Sequence, residues 1–231
     1  MDYWFEIKKT QLEMVRDRGY NIEDEAGILD MTLDEFINNY NNSKIINKIS
    51  DINEEEYKSI FFLSKSYKKI VDGHTKILSV AYKTLAGKKK ICIEQIINFI
   101  SQCKIPKNHN KAKEEYCDDS ILIITHDISS GGKRKLGDLT SVNISIFKDR
   151  ELLYNPTTHI DCPKFILLND DEKIELMKSL RCKLSDFLII KQADPIIRYY
   201  GWKSGQIVKI IRDDEFYNVI SPVSINYRVI L

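Results

Sequence analysis

The spacing of apolar residues predicts a layered first half of the chain. Apolar residues recur at helical spacing over residues 3–18, and Gly19 follows where helices commonly end. Thr32 and Glu35 form a capping box at the start of a second helix. Residues 41–58 are predicted to be a loop or a short polar helix. Further predicted elements are strands at 60–63, 77–82, 120–125 and 142–147, a helix at 91–103 and a charged connection at 104–119. This alternation favours an α/β domain over residues 1–153.

A second, smaller unit is predicted over residues 154–231. Residues 169–181 have the polar cap and acidic first turn of a helix. Asp194 is expected to cap a short helix that has Pro195 at its first position and ends at Gly201. The predicted strands are 187–190, 207–212 and 225–231. Together these elements predict a small α+β module.

Composition indicates a folded protein. The chain has 231 residues, of which 43% are hydrophobic and 30% charged, so it is neither a disordered tail nor a fibrous protein. No apolar run approaches the ~18–20 residues of a membrane span, and no secretory signal is visible at the N-terminus. Five scattered cysteines are expected to be reduced thiols of an intracellular protein.

Charge is distributed unevenly, although the net charge is only +1. Residues 1–58 carry seven basic and fourteen acidic side chains, whereas the basic segment, residues 59–113, carries twelve basic and two acidic ones. Its densest run is Lys88, Lys89 and Lys90. Such a surface attracts phosphate without reading base sequence. The alternative is a solvated lysine-rich face.

Candidate catalytic chemistry is weak throughout the sequence. The residues Cys92, Cys103, His109 and Cys117 lack the spacing of a zinc site, so no metal or cofactor is expected. Ser129–Lys133 follows a strand but lacks the Gly-Lys-Ser/Thr ending of a phosphate loop, and it is interpreted as a hairpin turn. His126 and Asp127 are interpreted as turn residues. Glu56–Lys58 could supply the carboxylate and lysine of a metal-dependent nuclease site; the alternative is that Glu54–Glu56 form a solvated acidic turn.

Two stretches near the C-terminus carry the residues of a known family. Residues 194–212, which begin with Asp-Pro and end with Val-Lys-Ile-Ile-Arg, resemble the fifth subunit shared by the eukaryotic nuclear RNA polymerases. The archaeal counterpart of that subunit consists of this module alone. Residues 159–164 are similar to the family's His-x-x-Val-Pro-Lys-His segment, with Phe165 in place of the last His. The N-terminal matches are Trp4–Thr10, Asp17–Tyr20 and Thr32–Phe36.

The resemblance implies a non-catalytic subunit of a multisubunit DNA-directed RNA polymerase. Its implied α/β fold is an N-terminal α/β/α jaw domain with a mixed sheet, similar to restriction nucleases but inactive, plus a small C-terminal α+β module. The module would dock on the largest subunit and neighbouring small subunits. The jaw would lie near downstream duplex DNA. Lys88, Lys89 and Lys90 would face this DNA and bind it weakly and without sequence preference. No catalytic residue, cofactor, metal or membrane contact is implied.

The expected partner-binding residues belong to the second unit. They are Pro163, Asp194, Pro195, Arg198, Tyr199, Tyr200, Gly201, Gly205 and Arg212. For the glycines and prolines, the residue types favour a role in building the fold. For Arg198, Tyr199 and Tyr200, subunit contact and a purely structural role both stay open.

The chain departs from the family over residues 213–224, where the family's Pro-Ser-Glu-Thr-Ala-Gly-x-Tyr signature is missing. This departure favours a divergent lineage, either a large DNA virus or a protist. The expected location is the nucleus for a cellular protein, and the host cytoplasm and virion for a viral one. The alternative functions are a stand-alone metal-dependent nuclease and a generic protein-interaction adaptor.

Overall fold

The computed structural model divides the chain into two units, Met1–Tyr154 and Asn155–Leu231. Each is a mixed α/β structure with a four-stranded mixed sheet. Within the described part of the chain, every helix is too short or too polar to cross a bilayer. The described residues are 2–42, 65–83, 90–91, 104–105, 115–116, 119–137, 143–212 and 224–231.

The first unit is built on a sheet with the strand order β1-β2-β6-β8. Its described helices are α1 (Asp2–Asp17), α2 (Gly27–Asp30), α3 (Leu33–Asn42) and α4 (Ser130–Gly137). Its described strands are β1 (Lys65–Val71), β2 (His74–Lys83), β3 (Lys90–Ile91), β4 (Lys104–Ile105), β5 (Glu115–Tyr116), β6 (Asp119–Ile124), β7 (Asp127–Ile128) and β8 (Asn143–Lys148). Strand β1 is antiparallel to β2, whereas β2, β6 and β8 are parallel. Short pairs join β3 to β7 and β4 to β5.

The core of the first unit contains strand β6 and one face of α1. All residues from Ser120 to Ile124 are buried, as expected for a central parallel strand. Helix α1 confirms the predicted N-terminal helix, and Gly19 follows it with φ +81°. The capping box of Thr32 and Glu35 is also confirmed, because each accepts a hydrogen bond from the other's backbone N–H. The buried apolar residues of α1 are Phe5, Ile7, Leu12, Met14 and Val15.

Strand β1 was not predicted from the sequence. It carries three lysines and only one fully buried side chain, Tyr67, so its apolar pattern is weak. Its position explains this, because lysines are common on exposed sheet edges. Asp72 and Gly73 form the two-residue hairpin turn to β2, with φ values of 51° and 76°.

Several sequence predictions for the first unit are wrong or fall outside the described residues. Ser129–Lys133 is not a hairpin turn, because α4 begins at Ser130 and the Ser129 hydroxyl accepts from the Gly132 N–H. Ile91 lies in β3 rather than in a helix, and strands β4 and β5 interrupt the predicted connection. The remaining predicted segments, 43–58, 60–63 and 92–103, lie outside the described residues.

The second unit has the strand order β10-β12-β11-β9. Its elements are β9 (Lys164–Leu167), α5 (Asp170–Leu180), β10 (Leu188–Ile190), α6 (Pro195–Tyr200), β11 (Ile207–Arg212) and β12 (Ser224–Ile230). All were predicted except β9, a four-residue strand too short to show a period. Strand β10 is parallel to β12, and the other pairs are antiparallel. The core comprises Ile190, Ile197, Val208, Ile210 and Ile230, with Phe165, Leu167 and Trp202 packed against it.

Candidate partner-binding surface

Local backbone chemistry fixes helix α6 at both ends. Asp194 Oδ1 accepts a hydrogen bond from the Ile196 N–H at 2.9 Å, and Pro195 is the first helical residue. At the other end, Gly201 adopts φ 69° and its N–H donates to carbonyl oxygens of the preceding turn. A helix of six residues has little intrinsic stability and depends on such caps. The predicted capping roles of all three residues are confirmed.

Gly205, like Gly201, adopts a left-handed backbone conformation. Its φ is 85°, and a Cβ added there would meet nothing within 4 Å. Backbone conformation, not space, therefore favours glycine. Its N–H donates to the Ile230 carbonyl oxygen and its own carbonyl oxygen accepts from the Lys173 ammonium at 2.8 Å. Gly205 thus joins β12 to α5.

Gly201→Val is expected to destabilise the second unit more than Arg198→Ala. A β-branched residue in the left-handed region costs ~1–3 kcal/mol, whereas half-exposed Arg198 can be truncated with the caps intact. Thermal unfolding of the full chain, followed by fluorescence of Trp202 in a Trp4→Phe background, measures both. Equal unfolding temperatures for Gly201→Val and the parent would contradict the backbone argument.

Tyr199 lies inside the second unit, with 1% of its surface exposed. Its hydroxyl oxygen accepts a hydrogen bond from the Asn155 amide nitrogen at 3.0 Å, and its ring meets that of Tyr200 edge-on. The interpretation of the Tyr199 side chain as a direct partner contact is therefore wrong. Sequence reasoning also missed Asn155, whose only signal was its place before Pro156 at the start of the unit.

Two of the predicted residues, Pro163 and Tyr200, line one groove of about 320 Å³. The Tyr200 ring is held by stacking on Trp202, with ring centroids 4.4 Å apart and planes 9° from parallel. The structure therefore brings together residues far apart in the sequence. The remaining lining residues are Thr157, Cys162, Lys164, Phe165 and Ile196.

The chemistry of this groove suits binding rather than catalysis. Burial, with a smaller effect of the Asp194 carboxylate, raises the pKa of the Cys162 thiol and keeps it neutral. The thiol donates to the Pro163 carbonyl oxygen at 3.5 Å. Phe165 and Ile196 supply apolar wall, and exposed Lys164 lies at the rim.

Arg212 lies at the end of the sheet where the groove begins. The pairing of Ile211 with Lys164 places Arg212 and Pro163 at the same end of strands β11 and β9. Arg212 is exposed, and Arg198 is half-exposed on α6.

The predicted DNA-facing lysines are only partly described. Lys88 and Lys89 lie outside the described residues, and Lys90 begins β3, where its backbone pairs with Asp127.

Two other lysines of the basic segment have internal partners. The Lys65 ammonium lies 3.2 Å from the Glu25 carboxylate. The Lys69 ammonium donates to the Arg18 carbonyl oxygen and lies over the Tyr20 ring. Some of the basic charge is therefore used within the first unit, while Lys68 and Lys76 are exposed.

A buried polar network connects α1 to the sheet of the first unit. Lys8, 5% exposed, lies 3.1 Å from the Glu25 carboxylate, which also accepts from the Tyr67 hydroxyl at 2.6 Å. Gln11 donates to the Tyr67 hydroxyl and accepts from Tyr82. Neither here nor elsewhere in the described ranges do three His, Cys, Asp or Glu side chains cluster as metal ligands would.

The chain is similar to known proteins in both of its units. The family model described as "RNA polymerase Rpb5, N-terminal domain" matches residues 1–103, and "RNA polymerase Rpb5, C-terminal domain" matches residues 154–230. "DNA-directed RNA polymerases I, II, and III subunit RPABC1" of Caenorhabditis briggsae is 28% identical over 215 residues, covering 90% of this chain and 88% of that protein. "DNA-directed RNA polymerases IV and V subunit 5B" of Arabidopsis thaliana is 26% identical over 227 residues, with coverages of 98% and 89%.

A third relative, from Dictyostelium discoideum, is more similar over a shorter stretch. This "DNA-directed RNA polymerases I, II, and III subunit rpabc1" is 33% identical over 115 residues, 48% of this chain and 58% of that protein. The family matches thus span both ends of the chain. The chain belongs to the Rpb5 family, the non-catalytic Rpb5-like subunits of multisubunit DNA-directed RNA polymerases.

Proposed function

We propose that this polymerase subunit docks on the largest subunit, and beside neighbouring small subunits, through residues 154–231. Residues 1–153 would form a jaw near downstream DNA. One observation carries the docking proposal: predicted contact residues meet at one end of the second unit, where Pro163 and Tyr200 share a groove and Arg212 lies beside it. Its apolar walls and exposed cations suit a protein partner.

Expression of the two halves tests this division. We expect residues 154–231 to fold and to co-purify with the largest subunit, because this unit has its own buried core and sheet. Residues 1–153 alone should not co-purify. Equal recovery of the largest subunit with residues 1–153 would overturn the division of roles.

We propose that the first unit is an α/β/α jaw similar to restriction nucleases but inactive. The mixed sheet β1-β2-β6-β8, with parallel central strands, supports this comparison. The small module over 154–231 is proposed as the assembly domain. The predicted hairpin departure at 213–224 falls almost entirely outside the described residues.

The nuclease alternative is disfavoured by membership of a non-catalytic family. Its candidate residues, Glu56–Lys58, lie outside the described residues. A pull-down from native extract distinguishes the functions. Stoichiometric recovery of polymerase subunits supports the proposal, Mg²⁺-dependent DNA cleavage by the isolated chain supports the nuclease, and recovery of unrelated proteins alone supports an adaptor.

Removing the charges of Lys88, Lys89 and Lys90 together by substitution with Gln is expected to weaken the grip of the assembled polymerase on downstream DNA. Each lost phosphate contact lowers the log–log salt slope by ~0.9, so the change is at most about 3. Dissociation of elongation complexes, measured against salt, gives the slope.

The matched control removes three exposed charges in the second unit, with Gln at Lys178, Lys183 and Lys203. This variant should leave the slope unchanged. Parallel salt plots for the Lys88–Lys90 variant and the parent would contradict the DNA contact and leave the subunit as a scaffold.

We propose a nuclear location, because the relatives named above are polymerase subunits of eukaryotes. The viral interpretation, with a host-cytoplasmic and virion location, stays a prediction. Mass spectrometry of the native complex, which identifies the companion subunits, distinguishes the two.

A further inference from the structure

Strand β9 is a free edge of the sheet in the second unit. Among the strands that the structure describes, it pairs with β11 on one side and with none on the other. The Leu168 N–H donates to the Ile207 carbonyl oxygen, and Leu167 lies opposite Val208. In an antiparallel ladder, the backbone groups of alternate residues face the partner strand. The N–H and C=O groups of Phe165 and Leu167 therefore point away from β11.

These outward groups have no protein partner among the residues that the structure describes. Sheet edges of this kind are usually guarded by charges, bulges or covering elements. Here Lys164 is the only charged residue of the strand, and the three residues after it are apolar and half-buried. The edge can thus accept another strand.

The groove lined by Pro163 and Tyr200 lies directly beside this edge. Phe165 of β9 forms part of its wall, opposite Ile196 and Tyr200 of α6. Phe165 also pairs with Ile210, so its side chain lies on the face of the sheet that packs against α6. A strand added to β9 would direct alternate side chains towards this groove.

We propose that an extended segment of the largest polymerase subunit adds to β9 as a fifth strand and places an apolar side chain in the groove. This inference rests on the docking proposed above. In such strand addition, backbone hydrogen bonds supply affinity and the adjoining pocket selects the side chain. The outward groups of Phe165 and Leu167 provide two donor–acceptor pairs for it.

The groove and its rim define the chemistry of the added strand. The neutral Cys162 thiol and the Phe165 and Ile196 side chains favour an apolar group, since burying a charge there would leave it unpaired. Lys164 and Arg212 are both exposed at the same end of the sheet. The partner strand therefore carries an acidic residue at that end.

The opposite edge of the sheet provides an internal control. Leu188 and Ile189 of β10 are 63% and 57% exposed. Ile190 accepts from the Leu231 N–H, so Ile189 has the outward-facing backbone groups there. This edge is more apolar than β9, but β10 has three residues, and of these Ile189 alone has backbone N–H and C=O groups that face away from the sheet.

Amide hydrogen exchange of the full chain, free and within purified polymerase, tests the strand addition. The amides of Phe165 and Leu167 should exchange at least about tenfold more slowly in the polymerase, because they gain carbonyl acceptors. The Ile166 and Leu168 amides already face β11 and should change little. Slowing at Ile189 with no change at Phe165 and Leu167 would overturn the proposal in favour of the other edge.

Filling the groove provides a second test. Cys162→Trp should lower the occupancy of this subunit in purified polymerase at least about tenfold, as expected for loss of a central interface contact. Cys182→Trp, at a half-buried cysteine outside the groove, should not. Exchange of the β11 amides verifies that both variants are folded. Folded Cys162→Trp subunit at full occupancy would overturn the proposal.

Thiol labelling distinguishes failure of this inference from failure of the proposed function. In polymerase, a maleimide should label Cys162 at least about tenfold more slowly than in the free chain, and Cys182 at an unchanged rate. If residues 154–231 bind the largest subunit but Cys162 labels equally fast in both states, only the strand addition is wrong. If the Phe165 and Leu167 amides become protected from exchange in the free chain as its concentration rises, the added strand comes from a second copy of this chain. That result also overturns the proposal that the strand comes from the largest subunit.

Discussion

Tyr199→Ala is expected to lower the free energy of unfolding of the second unit by about 3–5 kcal/mol, since truncating a buried aromatic residue leaves a large cavity. The ring is fully enclosed and its hydroxyl oxygen holds the Asn155 amide. Urea unfolding of the full chain, monitored by Trp202 fluorescence in a Trp4→Phe background, measures the loss. Polymerase recovery should fall because a smaller fraction of the unit is folded.

Two further substitutions distinguish the packing role of Tyr199 from a direct contact with a partner. Tyr199→Phe keeps the ring but removes the hydroxyl oxygen that accepts a hydrogen bond from the buried Asn155 amide, which costs about 1–3 kcal/mol. Tyr200→Ala removes a half-exposed groove residue, so it should reduce polymerase recovery with a smaller loss of stability. A Tyr199→Ala protein of unchanged stability that fails to assemble would restore the direct-contact interpretation of Tyr199.

Glu25→Gln is expected to destabilise the first unit by about 3–5 kcal/mol, the usual cost of leaving a buried charge without its partner. The substitution keeps an acceptor for the Tyr67 hydroxyl but removes the carboxylate 3.1 Å from the buried Lys8 ammonium. Urea unfolding followed by Trp4 fluorescence in a Trp202→Phe background reports on this unit.

The adjacent acid provides the control. Asp24 is 88% exposed and 3.8 Å from Lys65, so Asp24→Asn should change stability by less than about 1 kcal/mol. Adding Lys8→Met to Glu25→Gln should recover part of the loss, because no unpaired ammonium stays buried. Equal effects of the Glu25 and Asp24 variants would show that the network is not a buried charged pair.

The same network makes the first unit sensitive to acid. Burial by itself would raise the pKa of the Glu25 carboxyl, but the Lys8 ammonium, the Tyr67 hydrogen bond and the Lys65 ammonium outweigh it and hold the pKa below its ordinary value. A carboxyl with a lowered folded-state pKa contributes stability above its unfolded pKa of about 4.3 and loses it as the pH falls through the folded value. Glu25→Gln should therefore flatten the decline in stability below about pH 4.

Local sequence signals determined several elements of both units. Asp194, Pro195 and Gly201 specified helix α6 because each acts on backbone groups within its own turn. The same is true of the Thr32–Glu35 capping box and of the apolar face of α1. The continuous apolar run of β6 likewise indicated a central strand, because both of its faces are buried. The family resemblance rested on residues 194–212 and 159–164 and on the N-terminal matches, which include the Thr32–Glu35 capping box.

Other elements depended on contacts distant in sequence. Lysine-rich β1 became a strand by pairing with β2 and by burying Tyr67 against α1, which its own pattern did not indicate. Strand β9 was too short to predict and is defined by its pairing with β11. Helix α4 begins at Ser130, where the sequence suggested a turn, and the preceding Ser129 hydroxyl accepts a hydrogen bond from the Gly132 N–H.

The candidate surface shows the same division. The sequence identified the α6 residues as a group, but a six-residue helix has an inner and an outer face, and only packing against the sheet decided which side chain lies on each. Tyr199 faces the core and Asn155, whereas Tyr200 stacks on Trp202 and lines the groove with Pro163. The sequence therefore determined the caps, the principal apolar segments and the family, because those depend on neighbouring residues. The tertiary structure decided the groove and the free edge of β9, because both arise where distant segments pack together.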